Sequence, residues 1–282
     1  MRLDNSRESR NVEDRRGQRM RIGGRGKIGL GTIVLALVAM YFGIDPNVVL
    51  QTATGPVDSE TTASVPADTP QTRFVSKVLA DTEDAWGAVF HQKGWGAYQE
   101  PKLVLFNGAT PTACGTGQSA MGPFYCPGDS KVYLDLSFFQ QMAQQLDSPG
   151  DFAQAYVIAH EVAHHVQHLL GVMEQVDQAR RGASTAAANQ LSVRVELQAD
   201  CLAGVWANHS DTQRGTLEPG DIEEALNAAS AIGDDTLQKR SQGHVVPDSF
   251  THGTSAQRVR WFSQGFQSGD PAQCDTFGAT AL

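Results

Sequence analysis

A chain of 282 residues with 40% hydrophobic content can build one sizeable core, but not two once its polar stretches are subtracted. The formal net charge of −9 is uneven: residues 1–27 carry nine Arg or Lys against four Asp or Glu, an excess of five that leaves −14 on the remainder. An acidic body of that kind argues against nucleic acid as a partner.

The first predicted element is the run IGLGTIVLALVAMYFGI at residues 28–44, which contains no charge. As a helix it would span about 26 Å, near the short limit for crossing a bilayer. Arg21, Arg25 and Lys27 precede it, Asp45 follows it, and Tyr41 and Phe42 stand where interfacial aromatics belong. The expectation is one transmembrane helix, with the lipid bilayer as a partner. Residues 1–27 would be a basic cytoplasmic leader, and everything beyond residue 45 would be periplasmic or extracellular. A cleaved signal peptide competes with this, but no clear small-x-small site follows the run. Residues 45–71, rich in Thr, Ser, Pro, Asp, Ala and Gly, read as a linker. The globular domain is expected over 72–282.

Within it, residues 73–92 place Phe74, Val75, Val78, Leu79, Ala85, Trp86, Val89 and Phe90 at helical spacing. Residues 102–106 and 131–136 read as strands bounded by turn residues. Helices are then predicted over 151–170, with Ser148-Pro149 before it and Gly171 as its stop, and over 189–209, 221–232 and 255–266. A small sheet followed by packed helices indicates an α+β fold. Four cysteines without a C-x-x-C pair suit two disulfides in an oxidising compartment. The expected pairs are Cys114 with Cys126 and Cys201 with Cys274.

The 151–170 helix contains His160-Glu161-Val162-Ala163-His164. Residues four apart lie one turn above each other, so both imidazoles can bind one Zn²⁺. Glu161 is offset by about 100° around the axis, beside the metal rather than on it, where a general base for an activated water has to stand. A catalytic zinc site needs a third protein ligand and an open position. His168 lies about 6 Å further along the same helix than His164, and three ligands in one row cannot close a tetrahedral site. Glu196, on the next long helix, is the better candidate. Asp200, one turn later, is placed to accept a hydrogen bond from a ligand histidine. The apolar residues around them, Val193, Val195, Leu197, Leu202 and Trp206, make a solvated acidic face hard to build.

HEVAHHVQHLLG at 160–171, VELQADCLAGVWA at 195–207 and DSFTHGTSAQRVRWFSQGF at 248–266 resemble the bacterial family of predicted neutral zinc metallopeptidases, as do FYCPGD and VYLD at 124–135. The glutamate third ligand also resembles the broader gluzincin group. The resemblance implies a zincin-like domain holding one zinc per chain, which hydrolyses peptide or protein substrates at a helix beneath a small sheet. It also implies that a later His or Tyr stabilises the oxyanion, with His252 as the candidate and Tyr133 as its rival. A zinc-stabilised envelope protein that binds partners without catalysis remains the alternative, as does hydrolysis of a non-peptide amide or ester.

Overall fold

The computed structural model describes residues 1–17 and 68–282. Eight α-helices and six strands occur among them. The strands are β1 (Val12–Asp14), β2 (Lys102–Leu105), β3 (Ala109–Thr112), β4 (Gly115–Gln118), β5 (Phe124–Cys126) and β6 (Lys131–Leu134). The helices are α1 (Pro70–Lys93), α2 (Ser137–Gln145), α3 (Asp151–Leu169), α4 (Val172–Arg180), α5 (Thr185–Arg214), α6 (Asp221–Ala231), α7 (Asp234–Gln242) and α8 (Ser255–Ser268). A mostly helical body with a small sheet is the α+β arrangement expected.

The sheet runs β1-β2-β6-β5, parallel across its first three strands, with β5 antiparallel at the edge. Both predicted strands are present and pair with each other, Leu103 opposite Val132. Between them lies a hairpin of β3 and β4, and the disulfide Cys114–Cys126 ties its turn to β5. The second expected disulfide, Cys201–Cys274, joins α5 to the C-terminal segment.

The N-terminal segment requires a correction. Residues 1–16 form one compact unit with residues 66–282, so the domain does not begin at 72 and its first residues are not a separate leader. β1 hydrogen-bonds along β2, with Val12 opposite Leu103 and Asp14 opposite Leu105. Its charges are used in the fold: Glu13 accepts from Lys131 at 2.9 Å and Arg7 pairs with Asp84 at 2.7 Å. Arg15 and Arg16 pair within the segment itself, with Glu13 and Asp14. The apolar run at 28–44 and most of the predicted linker lie outside the described residues. No described helix is long and apolar enough to cross a membrane.

The core gathers α1, α3, α5, α6 and α8 on the sheet, with Trp86, Phe152, Trp206 and Phe262 among its largest fully buried side chains. α3 is buried almost throughout its length. It starts at Gly150, with no capping side chain of its own, and Glu224 of α6 accepts the orphan Phe152 N–H at 3.0 Å. At the other end Gly171 adopts φ 74°, a left-handed turn that glycine takes without steric cost. The crossing of α5 and α8 depends on two glycines: a Cβ on Gly204 would fall inside the Phe262 carbonyl, and one on Gly265 inside the Cys201 carbonyl. That close approach brings α8 against the acidic turn of α5.

Candidate active site

Because α3 is enclosed by apolar neighbours, each polar side chain it carries has to be satisfied within the protein. The rings of His160 and His164 lie 4.8 Å apart, one turn removed, and both face α5. Glu196 meets them there, with its carboxylate oxygens 3.1 Å from His160 Nε2 and 3.6 Å from His164 Nε2. One ligand atom from each of the three residues falls within 4.8 Å of the others. The opposite ring nitrogens are already engaged: His160 Nδ1 with Asp200 at 2.9 Å and His164 Nδ1 with the Gln167 amide oxygen at 2.8 Å. Both Nε2 lone pairs are therefore left for a shared cation. Two imidazoles and a carboxylate are a catalytic zinc donor set, and the residues fit the ion.

The electrostatics point the same way. Burial opposes a charged His160, but the Asp200 and Glu196 carboxylates outweigh it and push its pKa up to about 10. His164 is raised as well, Glu196 overcoming the same burial. Glu196 stays ionised against its own burial, held well below the usual carboxylate range by His164 and His160. Asp200 is lowered to about 2 despite complete burial, first by Arg258 and then by His160. The pocket strongly favours positive charge at its centre.

Arg258 is a residue that sequence reasoning missed. It is 2% exposed and grips Asp200 through Nε at 2.8 Å and a terminal nitrogen at 2.9 Å, while Tyr156 donates its hydroxyl to the same acid at 2.5 Å. Its signal was available, since Arg258, Trp261, Phe262 and Gly265 share the buried stripe of α8. An arginine on such a stripe requires a buried acid.

The site opens into a cleft of about 420 Å³ lined by β5, α3, the start of α2 and the α6–α7 junction. Glu161 lies on its wall beside the histidines, and its carboxylate makes no hydrogen bond among the described residues. His252 also lines the cleft, half exposed, with Nδ1 3.3 Å from Asp234. Asp234 fixes that turn by accepting the backbone N–H groups of Thr251, His252 and Gly253 at 2.7, 2.6 and 3.0 Å. Tyr133, the rival, is turned away: it is 1% exposed and donates its hydroxyl to Asp129 at 2.7 Å. His168 stands apart from the ligand group, hydrogen-bonded to Tyr125 at 2.7 Å. His165, also off the metal face, is buried between Tyr125 and the Gln99 carbonyl.

The model of the family described as "Putative neutral zinc metallopeptidase" matches residues 1–277. The chain belongs to this family. The match includes β1, as its place in the sheet requires. The chain is 55% identical over 287 residues to the uncharacterized protein YpfJ of Escherichia coli K12, covering 99% of both chains. It is 42% identical over 261 residues to the uncharacterized protein Rv2575 of Mycobacterium tuberculosis H37Rv, covering 86% of each. No solved structure matches. Membership of a zinc metallopeptidase family implies zinc as the metal and peptides or proteins as substrates.

Proposed function

We propose that this protein is a zinc-dependent peptidase in which His160, His164 and Glu196 hold the metal and Glu161 is the general base. The observation that carries the reading is the convergence of three donor groups in an open cleft beside Glu161, whose carboxylate makes no hydrogen bond among the described residues. A purely structural zinc site closes its fourth position with another ligand and has no use for such an acid.

When bound, zinc polarises the scissile carbonyl and makes water acidic enough to be deprotonated near neutral pH. Glu161 takes that proton and returns it to the leaving amine. His252, oriented through Nδ1 by Asp234, offers its Nε2 proton to the oxygen on which negative charge develops. The backbone of β5, at the sheet edge along the cleft, supplies pairing groups for an extended substrate. Two disulfides favour an oxidising compartment outside the cytoplasm. The apolar run at 28–44 favours attachment to a bilayer, with residues 1–16 on the domain's side.

The test is zinc analysis of the purified chain together with cleavage of an unbiased peptide library. Glu161→Gln is expected to keep about one zinc per chain and to lose at least about 10²-fold in cleavage rate. Retained activity removes Glu161 from the mechanism. Zinc binding without cleavage of any peptide favours the non-catalytic envelope protein or a non-peptide substrate.

A further inference from the structure

His160 is oriented by a carboxylate, whereas His164 is oriented by a neutral amide that belongs to a longer chain of hydrogen bonds. His164 Nδ1 meets Gln167 Oε1 at 2.8 Å. Gln167, fully buried, directs its Nε2 to the Val195 carbonyl at 2.8 Å and to Gln198 Oε1 at 2.9 Å. Gln198 directs its own Nε2 to the Cys274 carbonyl at 3.0 Å, and Cys274 is joined by a disulfide to Cys201, the neighbour of Asp200. From these contacts we infer that Gln167 and Gln198 are positioning residues, an amide relay that fixes which nitrogen of His164 is free to bind the metal.

The direction of the relay follows from its far end. A backbone carbonyl has no proton to give, so Gln198 must present its NH₂ to Cys274 and therefore its oxygen to Gln167. Gln167 must then donate to Gln198. The Val195 carbonyl makes the same demand independently, so the orientation of Gln167 is determined twice. Its oxygen faces His164, and an oxygen there requires the proton to be on Nδ1. Nε2 then carries the lone pair, on the side where Glu196 stands. A relay of reversed polarity would set the two amide oxygens against the Val195 and Cys274 carbonyls and leave both carbonyls without donors in a buried region. The C-terminal segment and the Cys201–Cys274 bridge are thus part of the support of the metal site.

This inference rests on the metal reading above, and an isosteric pair of substitutions separates the two. Gln167→Met keeps the shape and removes the acceptor, whereas Gln167→Glu keeps the acceptor and removes the donors to Val195 and Gln198. Zinc affinity is measured by titration against a competing chelator, and thermal unfolding is followed on the metal-free protein. Both variants are expected to unfold at lower temperature. Only Gln167→Met should bind zinc about 10- to 100-fold more weakly, with Gln167→Glu remaining near the wild type. Gln198→Leu, with Val195 still holding Gln167, should weaken zinc by a smaller factor, no more than about 10-fold. Equal zinc affinity in the Met and Glu variants, or equal loss in both, overturns the relay while leaving the metal reading intact. A wild-type chain that binds no zinc overturns both.

Discussion

One carboxylate serves two partners of opposite function: Asp200 lies 2.9 Å from Nδ1 of His160 and 2.8 Å from Nε of Arg258. The acid is fully buried, so its charge is tolerable only because the guanidinium is buried with it. Arg258→Met is expected to destabilise the metal-free protein by about 3–5 kcal/mol, the cost of leaving a buried charge without its counterion. Urea denaturation measures it, and a loss under about 1 kcal/mol, the scale of an exposed pair, would show that Asp200 does not depend on Arg258.

For the ligand set, Glu196→Ala should lower zinc affinity severely and His168→Ala hardly at all. Asp200→Ala should lower it by an intermediate factor of roughly 10 to 100. Chelator titration of each variant decides it, and the assignment fails if the His168 variant loses zinc while the Glu196 variant keeps it.

The His252–Asp234 pair gives a pH dependence with a definite sign. The hydrogen bond to Asp234 raises the His252 pKa above 6.5, against the opposing effect of burial. A pKa raised by folding contributes stability that is complete below 6.5 and is lost as pH climbs through the folded value. With half the side chain exposed, solvent screening keeps that contribution small. Asp234→Asn should move the His252 ring titration, followed by NMR, to lower pH, and should draw in the alkaline limb of any cleavage profile. An unmoved ring titration would mean that Asp234 serves only the backbone of the turn.

Side-specific labelling tests the place of the N-terminal strand. Single cysteines introduced at Asn5 and at Glu223, both exposed, should react with a membrane-impermeant maleimide from the same side of the membrane. Labelling of the two positions from opposite faces would show that β1 is not part of the sheet in the cell.

Much of the site was legible because its chemistry has a period. His160 and His164 recur at one helical turn, and Glu196 and Asp200 do the same on a helix too apolar to leave them in water. The hydrophobic patterns of α1, α3 and α8 likewise gave their extents to within a few residues. β1 was not legible: three residues in an Arg- and Asp-rich segment show no apolar alternation, and their pairing with β2 is set by contacts about ninety residues away. The short strands β3 to β5 were hidden among glycines and prolines, and α7, a polar helix whose one apolar residue is Leu237, shows no apolar stripe. Asp234 was missed for the same reason, since its role lies in backbone N–H groups that no side-chain pattern reveals.

The N-terminal segment also sets an order of events during synthesis. The backbone N–H of Arg2 bonds to the Thr216 carbonyl at 2.7 Å, and Lys77 bonds to the Leu3 carbonyl at 2.8 Å. Residues 2 and 3 therefore cannot both reach their final contacts until the chain has been made as far as Thr216, about 10–40 s later at about 5–20 residues per second. Until β1 docks, the outer edge of β2 is a bare row of backbone donors and acceptors, open to any strand that reaches it first. The nascent chain is most exposed to wrong partners while its own first strand is already made.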